Sequence, residues 1–331
     1  MPRRFLLSID GGGVRGIVPA LALARLEEIT GRPARETFSF VAGTSTGALL
    51  AAAVAAGLPA TQMVALYRDR TREIFSPRGP WNGIRRVVIG HQYNISNLRR
   101  VLESEFGAAV SWNLNNSPVD LLLPAIRLSD AKPWYFVKDN PNNAGSTGAL
   151  GLLDCATASA AAPTYFDSWP MGNPVNGKLV DGGVGTTGNP VYQACVEAFC
   201  FSQGYGPAET TVVSFGTGRI REHADPHFIL SWLTWVVDTV LHAPEEQQTQ
   251  LVARHYPDAL LYRLDPLLAE DIDLDDVTRI GELEAAGRLF ADQVDWPAML
   301  EGRPTPFLRH APPCPGAGGA ANVRERLPAR D

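Results

Sequence analysis

Two short apolar runs near the start of the chain are each followed by glycine and then by a helical pattern. Arg4 to Ile9 predicts a first strand, and Asp10-Gly11-Gly12-Gly13-Val14-Arg15-Gly16 a turn. A helix follows from Ile17 to Ile29, with Val18, Leu21, Leu26 and Ile29 at helical spacing and Gly31 as its C′ residue. The second run, Phe38 to Ala42, reads as a buried strand. Gly43-Thr44-Ser45-Thr46-Gly47 comes next, then an alanine-rich helix from Ala48 to Ala56.

Further along, Thr61 is expected to cap a helix to Phe75 and Ser96 a helix to Phe106. Between them Ser76 to Tyr93 reads as a basic-apolar loop, suited either to touching lipid or to packing on the body. Leu121 to Ile126 and Trp134 to Val137 predict a strand hairpin, and Leu150 to Ala162 a small-residue helix stopped by Pro163. Asn176-Gly177 marks a hairpin turn into the strand Lys178 to Val180, which delivers Asp181 to Gly182-Gly183. Asn189-Pro190 opens a helix to Phe201, and Thr211 to Phe215 is a strand ending in Gly216-Thr217-Gly218. Beyond it, helices are expected over Pro226 to Ala243 and Glu245 to Tyr256, with Phe228, Trp232 and Trp235 facing the core. A strand over Ala259 to Leu264 and a helix capped by Asp275 or Asp276, running to Gly287, follow. This divides the chain into a core over 1–218, a helical extension over 219–302 and a loose tail over 303–331.

Composition changes this picture little. The 331 residues are 45% hydrophobic and 19% charged, as expected of a globular protein with a large core. The net charge of −6, with no dense Lys/Arg run, argues against nucleic acid as a partner. Cys155, Cys195, Cys200 and Cys314 lack metal-like spacing and read as reduced thiols of a cytosolic protein. No apolar stretch reaches membrane-spanning length; the most apolar later one, Phe228 to Leu241, is too short and carries Asp238.

The candidate chemistry lies at strand ends. Gly43-x-Ser45-x-Gly47 between a strand and a helix is the pattern that sets a serine hydroxyl on a tight bend, with helix N–H groups and dipole behind it. Gly11-x-Gly13-x-x-Gly16 formally matches a dinucleotide fingerprint, but Glu36 precedes the next strand where an acid ending it is required. A P-loop is excluded because no Gly-Lys-Ser/Thr follows. The favoured meaning is an oxyanion hole of main-chain donors beside Ser45. A serine also needs a proton acceptor. Among the histidines, His223 and His227 around Asp225-Pro226 are the credible triad candidates, while Asp181 has the better context for accepting the proton directly.

The run Gly11 to Gly16, Gly43-Thr44-Ser45-Thr46-Gly47, the segment Ala158 to Phe166 and Asp181-Gly182-Gly183 together resemble the patatin-like phospholipases over Phe5 to Gly218. The resemblance implies a three-layer α/β/α sandwich around a mostly parallel sheet, and a Ser–Asp dyad without histidine or metal. Its implied substrates are acyl esters of membrane phospholipids or lysophospholipids, met by transient contact with the membrane surface from the cytoplasm. By position, Ser45 would be the nucleophile, Asp181 the base, Gly11, Gly12 and Gly13 the oxyanion hole, and Arg15 its support, with Gly43 and Gly47 flanking the elbow. A single asparagine, Asn189, stands before Pro190 where the family often has consecutive ones. A broad carboxylesterase or acyltransferase is the rival enzyme reading, and a nucleotide-binding module using the glycine loop the rival outside enzymology.

Overall fold

A computed structural model describes residues 3–76, 91–143, 145–172, 177–220 and 245–310. Its strands are β1 (Arg4–Ile9), β2 (Phe40–Gly43), β3 (Asp120–Arg127), β4 (Lys132–Val137), β5 (Trp169–Pro170), β6 (Lys178–Asp181), β7 (Thr210–Phe215), β8 (Leu260–Leu264) and β9 (Leu308–Arg309). They form one sheet in the order β5-β6-β3-β2-β1-β7-β8-β9, with β4 on the remaining edge of β3. The run β3-β2-β1-β7-β8 is parallel and the others join it antiparallel.

Alternation along these strands divides the core into two layers. Leu7, Ile9, Val41, Leu121, Leu123 and Val213 face one layer, while Leu6, Phe40, Ala42, Leu122 and Val212 face the other. The first layer is covered by helices α1 (Ile17–Thr30), α2 (Thr46–Ala56), α3 (Ile95–Glu105), α4 (Leu152–Ser159) and α5 (Ile280–Gln293). The second is covered by the helix opening at Val191 and by the helical residues 245–255. The architecture is therefore a three-layer α/β/α sandwich with a mixed, mostly parallel sheet.

Several local expectations shift. The helix expected from Thr61 has Pro59 at its cap and runs through Ala60–Ala65, a π-helical turn at Leu66–Arg70, and Thr71–Ile74. The cap expected at Ser96 belongs to Asn94, whose side chain accepts the Ser96 N–H at 3.0 Å. The helix α4 ends at Ser159 rather than Ala162, because the chain there must turn to meet β6, where Asp181 N–H donates to Ala161 O at 3.0 Å. The Asp276 side chain caps a turn at Thr278 instead of the next helix, which starts at Ile280 and continues to Gln293. Residues 219–302, expected as a helical extension, contribute β8 to the same sheet, and β9 lies in the expected tail. Burial from Leu261 to Leu264 makes β8 an interior neighbour for β7. Expectations for the Ser76 to Tyr93 loop fall mostly, and those for Pro226 to Ala243 wholly, outside the described residues.

Candidate active site

Sheet register brings the candidate nucleophile and base together. Strand β2 pairs with β3 from Phe40↔Asp120 to Ala42↔Leu122, and β6 pairs with β3 at Ala125↔Asp181 to Arg127↔Leu179. Strand β4 occupies the other edge of β3 from Leu122 to Arg127. A strand has only two hydrogen-bonding edges, so β2 and β6 share one. They run toward each other along it, and their C-terminal ends converge. Ser45, two residues past β2, continues its register to the level of Ala125, the residue that pairs with Asp181.

The local chain prepares each group. Ser45 sits at φ 55 and ψ −124, backbone strain for a residue with a side chain, and α2 begins at Thr46. The bend closes because Gly43 and Gly47 lack side chains; a β-carbon on Gly43 would overlap the Gly47 backbone. Ser159 Oγ donates to Pro124 O at 2.5 Å and accepts the Ser45 N–H at 3.3 Å, tying the bend to β3.

Asp181 ends β6, 2% exposed, and its Oδ1 accepts the Gly183 N–H at 2.7 Å. Ser45 lines the same cleft as Asp181, and its hydroxyl favours the ionised form of this carboxyl. Burial pushes the Asp181 carboxyl up to about 6, while the Ser45 and Gly183 donors hold it from rising further. Among the described residues, no histidine lines the cleft. His91 pairs with Asp167 at 2.5 Å, and His255 shares a hydrogen bond with the Tyr192 hydroxyl at 2.8 Å. His223 and His227, the triad candidates, lie outside the described residues, as does His242.

The glycine loop faces Ser45 across a cleft of about 510 Å³, open to solvent. Gly11 was expected to share the oxyanion hole, yet its N–H donates to Gly188 O at 2.9 Å. Its amide thus holds the loop in place. The N–H groups of Gly12 and Gly13 have no acceptor among the described residues, and Gly13 adopts φ 57. Arg15, buried behind the loop, donates from Nε to Gly12 O at 3.5 Å. Thr217 Oγ1 donates to Gly11 O at 2.8 Å, a support the sequence reading missed although Gly216-Thr217-Gly218 ends a strand beside β1. Thr44 Oγ1 similarly donates to Thr187 O at 2.5 Å, and Thr187 Oγ1 to Gly182 O at 2.6 Å, linking the two halves. Asn189 takes Ser8, Val191, Ser214 and Thr249 as partners, so one asparagine suffices to bind that loop to the sheet.

Below the loop lies a buried charge cluster. Arg263 reaches Asp10 at 2.6 Å, Asp265 at 3.3 Å and Glu245 at 3.7 Å, and donates to Ser214 Oγ at 3.0 Å. Burial raises the Asp10 carboxyl well above its usual range and that of Glu245 to about 8, against the pull of Arg263. Among the described residues, no group of three or more His, Cys, Asp or Glu side chains could hold a metal ion.

The sequence profile of the family described as "Patatin-like phospholipase" matches residues 7–194, more than half of the chain. The chain belongs to the patatin-like phospholipase family. It is 33% identical over 207 residues to a "cGAMP-activated phospholipase" of Escherichia coli (strain TW11681), covering 60% of this chain and 56% of that one. Patatin-17 of Solanum cardiophyllum is 28% identical, with 70% of this chain and 64% of that protein covered. "Calcium-independent phospholipase A2-gamma" of Oryctolagus cuniculus is 27% identical over 87% of this chain and 38% of its own length. This patatin-like chain thus spans between 38% and 64% of these relatives.

Proposed function

We propose that this patatin-like protein is a serine lipid acyl hydrolase, acting as a phospholipase A or lysophospholipase through Ser45 and Asp181. The observation that carries the reading is one cleft lined by Ser45, the buried Asp181 carboxyl, and Gly12 and Gly13, whose N–H groups have no acceptor among the described residues. In this reading Ser45 Oγ attacks the ester carbonyl as ionised Asp181 takes its proton, and the carbonyl π electrons move to oxygen. The Gly12 and Gly13 N–H groups, held by Arg15 and Thr217, stabilise that oxyanion. Collapse breaks the ester C–O bond, and Asp181 returns its proton to the departing alcohol. A water, deprotonated by Asp181, then attacks the acyl-enzyme and restores Ser45 with release of the fatty acid.

The substrate is a membrane phospholipid or lysophospholipid, approached at the lipid surface from the cytoplasm. Among the described residues, no helix is long and apolar enough to cross a membrane. The test is incubation with defined phospholipids and identification of products by mass, for wild type, Ser45→Ala and Asp181→Asn. Fatty acid released by wild type alone is expected; release by folded Asp181→Asn at the wild-type rate refutes the dyad. Adding a primary alcohol separates an acyltransferase, which would yield its ester. Because two of the relatives are named for activation by cGAMP, each assay is run with and without it.

A further inference from the structure

Two more hollows continue from the Ser45 cleft. One of about 400 Å³ shares Ser45, Phe75 and Phe166 with that cleft and runs on to Leu49, Leu66 and Tyr67. The next, narrower and partly open to solvent, begins at the same Leu49, Leu66 and Tyr67 and ends at Leu102 and Phe106. The three spaces are in series, and one set of side chains forms the partition between the last two.

Helix geometry accounts for the direction of this track. Leu49 lies four residues after Ser45, one turn along the same face of α2. Leu66 opens the π-helical turn, whose wider winding departs from the face that α-helical spacing would set. Both leucines are half-buried, facing the track from opposite helices.

The chemistry of the lining selects the occupant. Thr46 is hydrogen-bonded to the Tyr67 hydroxyl, and Thr71 Oγ1 donates to Tyr67 O at 2.7 Å. Gln62, at the far end, donates to Glu105 O at 3.2 Å and to its carboxylate at 3.1 Å. These polar side chains are engaged with one another, so a polar ligand would lose its water without replacement, whereas methylenes gain by entering.

Resting on the hydrolase reading above, we propose that one unbranched acyl chain lies along this track with its carbonyl at Ser45. Leu49 and Leu66 form the gate that sets the chain length accepted. Wild type takes chains that fill the space before the gate; longer chains gain nothing from their terminal methylenes.

The test is kcat/KM on a series of p-nitrophenyl esters from butanoyl to hexadecanoyl, for wild type, Leu49→Ala, Leu66→Ala and Leu66→Trp. Thermal melts confirm folding of each. In wild type kcat/KM rises about fourfold per buried methylene until the chain meets the gate, then levels. Either alanine variant should move that break to longer chains and raise the hexadecanoyl-to-octanoyl ratio by about tenfold or more. Leu66→Trp should move it to shorter ones. An unchanged break in the variants that fold overturns the gate. If wild type hydrolyses no ester, or Ser45→Ala retains the activity, the hydrolase reading is what fails. The track is then judged by titrating the wild type with free fatty acids. Length-dependent binding lost in Leu66→Trp supports it, and no binding overturns it.

Discussion

Asp181→Asn is expected to end hydrolysis and, above neutral pH, to make the protein more stable. In the fold the Asp181 carboxyl titrates near 6, against a usual 3.8, because it is buried. A carboxyl raised in this way holds its proton more tightly folded than unfolded. Its contribution is therefore most favourable below about pH 4 and is lost as pH climbs through 6. The shift of about two units corresponds to about 3 kcal/mol. Asparagine has nearly the same shape, keeps the oxygen that accepts Gly183 N–H, and carries no charge to desolvate. Urea unfolding should show the variant about 1–3 kcal/mol more stable than wild type at pH 8, converging near pH 4. The raised Asp10 and Glu245 push in the same direction in both proteins and cancel from the difference. A stability difference that is constant with pH, or a variant less stable at pH 8, would refute the claim that this carboxylate is held at a desolvation cost.

In the proposed dyad only ionised Asp181 can accept the serine proton, so the same titration should appear in turnover. Plots of kcat/KM against pH should rise through about 6, and a wild-type profile flat from pH 5 to 8 would exclude it as the base. Thr217→Val removes the hydroxyl that anchors Gly11 O; kcat should fall about tenfold with KM nearly unchanged, whereas a loss confined to KM would remove the loop from transition-state stabilisation. Arg263→Met leaves Asp10, Glu245 and Asp265 without their shared cation, and thermal or urea unfolding should show about 3–5 kcal/mol of destabilisation at pH 8. Tyr67→Phe, which loses only the hydroxyl bonded to Thr46, should cost about 1 kcal/mol in the same measurement.

What could be read in the chain was local. The strand Arg4–Ile9 and the helix beginning at Ile17, closed by left-handed Gly31, follow from patterns complete within a few residues. The hairpin of β3 and β4 is another such pattern. Caps were less legible: Asn94 and Ser96 are both good acceptors two residues apart, and only the path of the entering chain chooses between them. The π-helical turn at Leu66–Arg70 leaves no trace in composition, because tertiary packing selects its winding. The strands β8 and β9 were separated from the core by distance along the chain, though in the sheet β8 is the direct neighbour of β7.

By itself the sequence determined where a bend must form at Gly43 to Gly47, where a flexible glycine loop must follow a strand, and which side chains stand at strand ends. It carried both Ser45 and Asp181 as candidates because turn chemistry depends on nearest neighbours. Only the tertiary structure decided that these two meet, since that depends on β2 and β6 approaching head-on along one edge of β3. It alone committed the Gly11 amide to Gly188 and left those of Gly12 and Gly13, beside the cleft, without an acceptor among the described residues. Backbone donors are identical in every residue, and which ones remain free is a property of the assembled sheet.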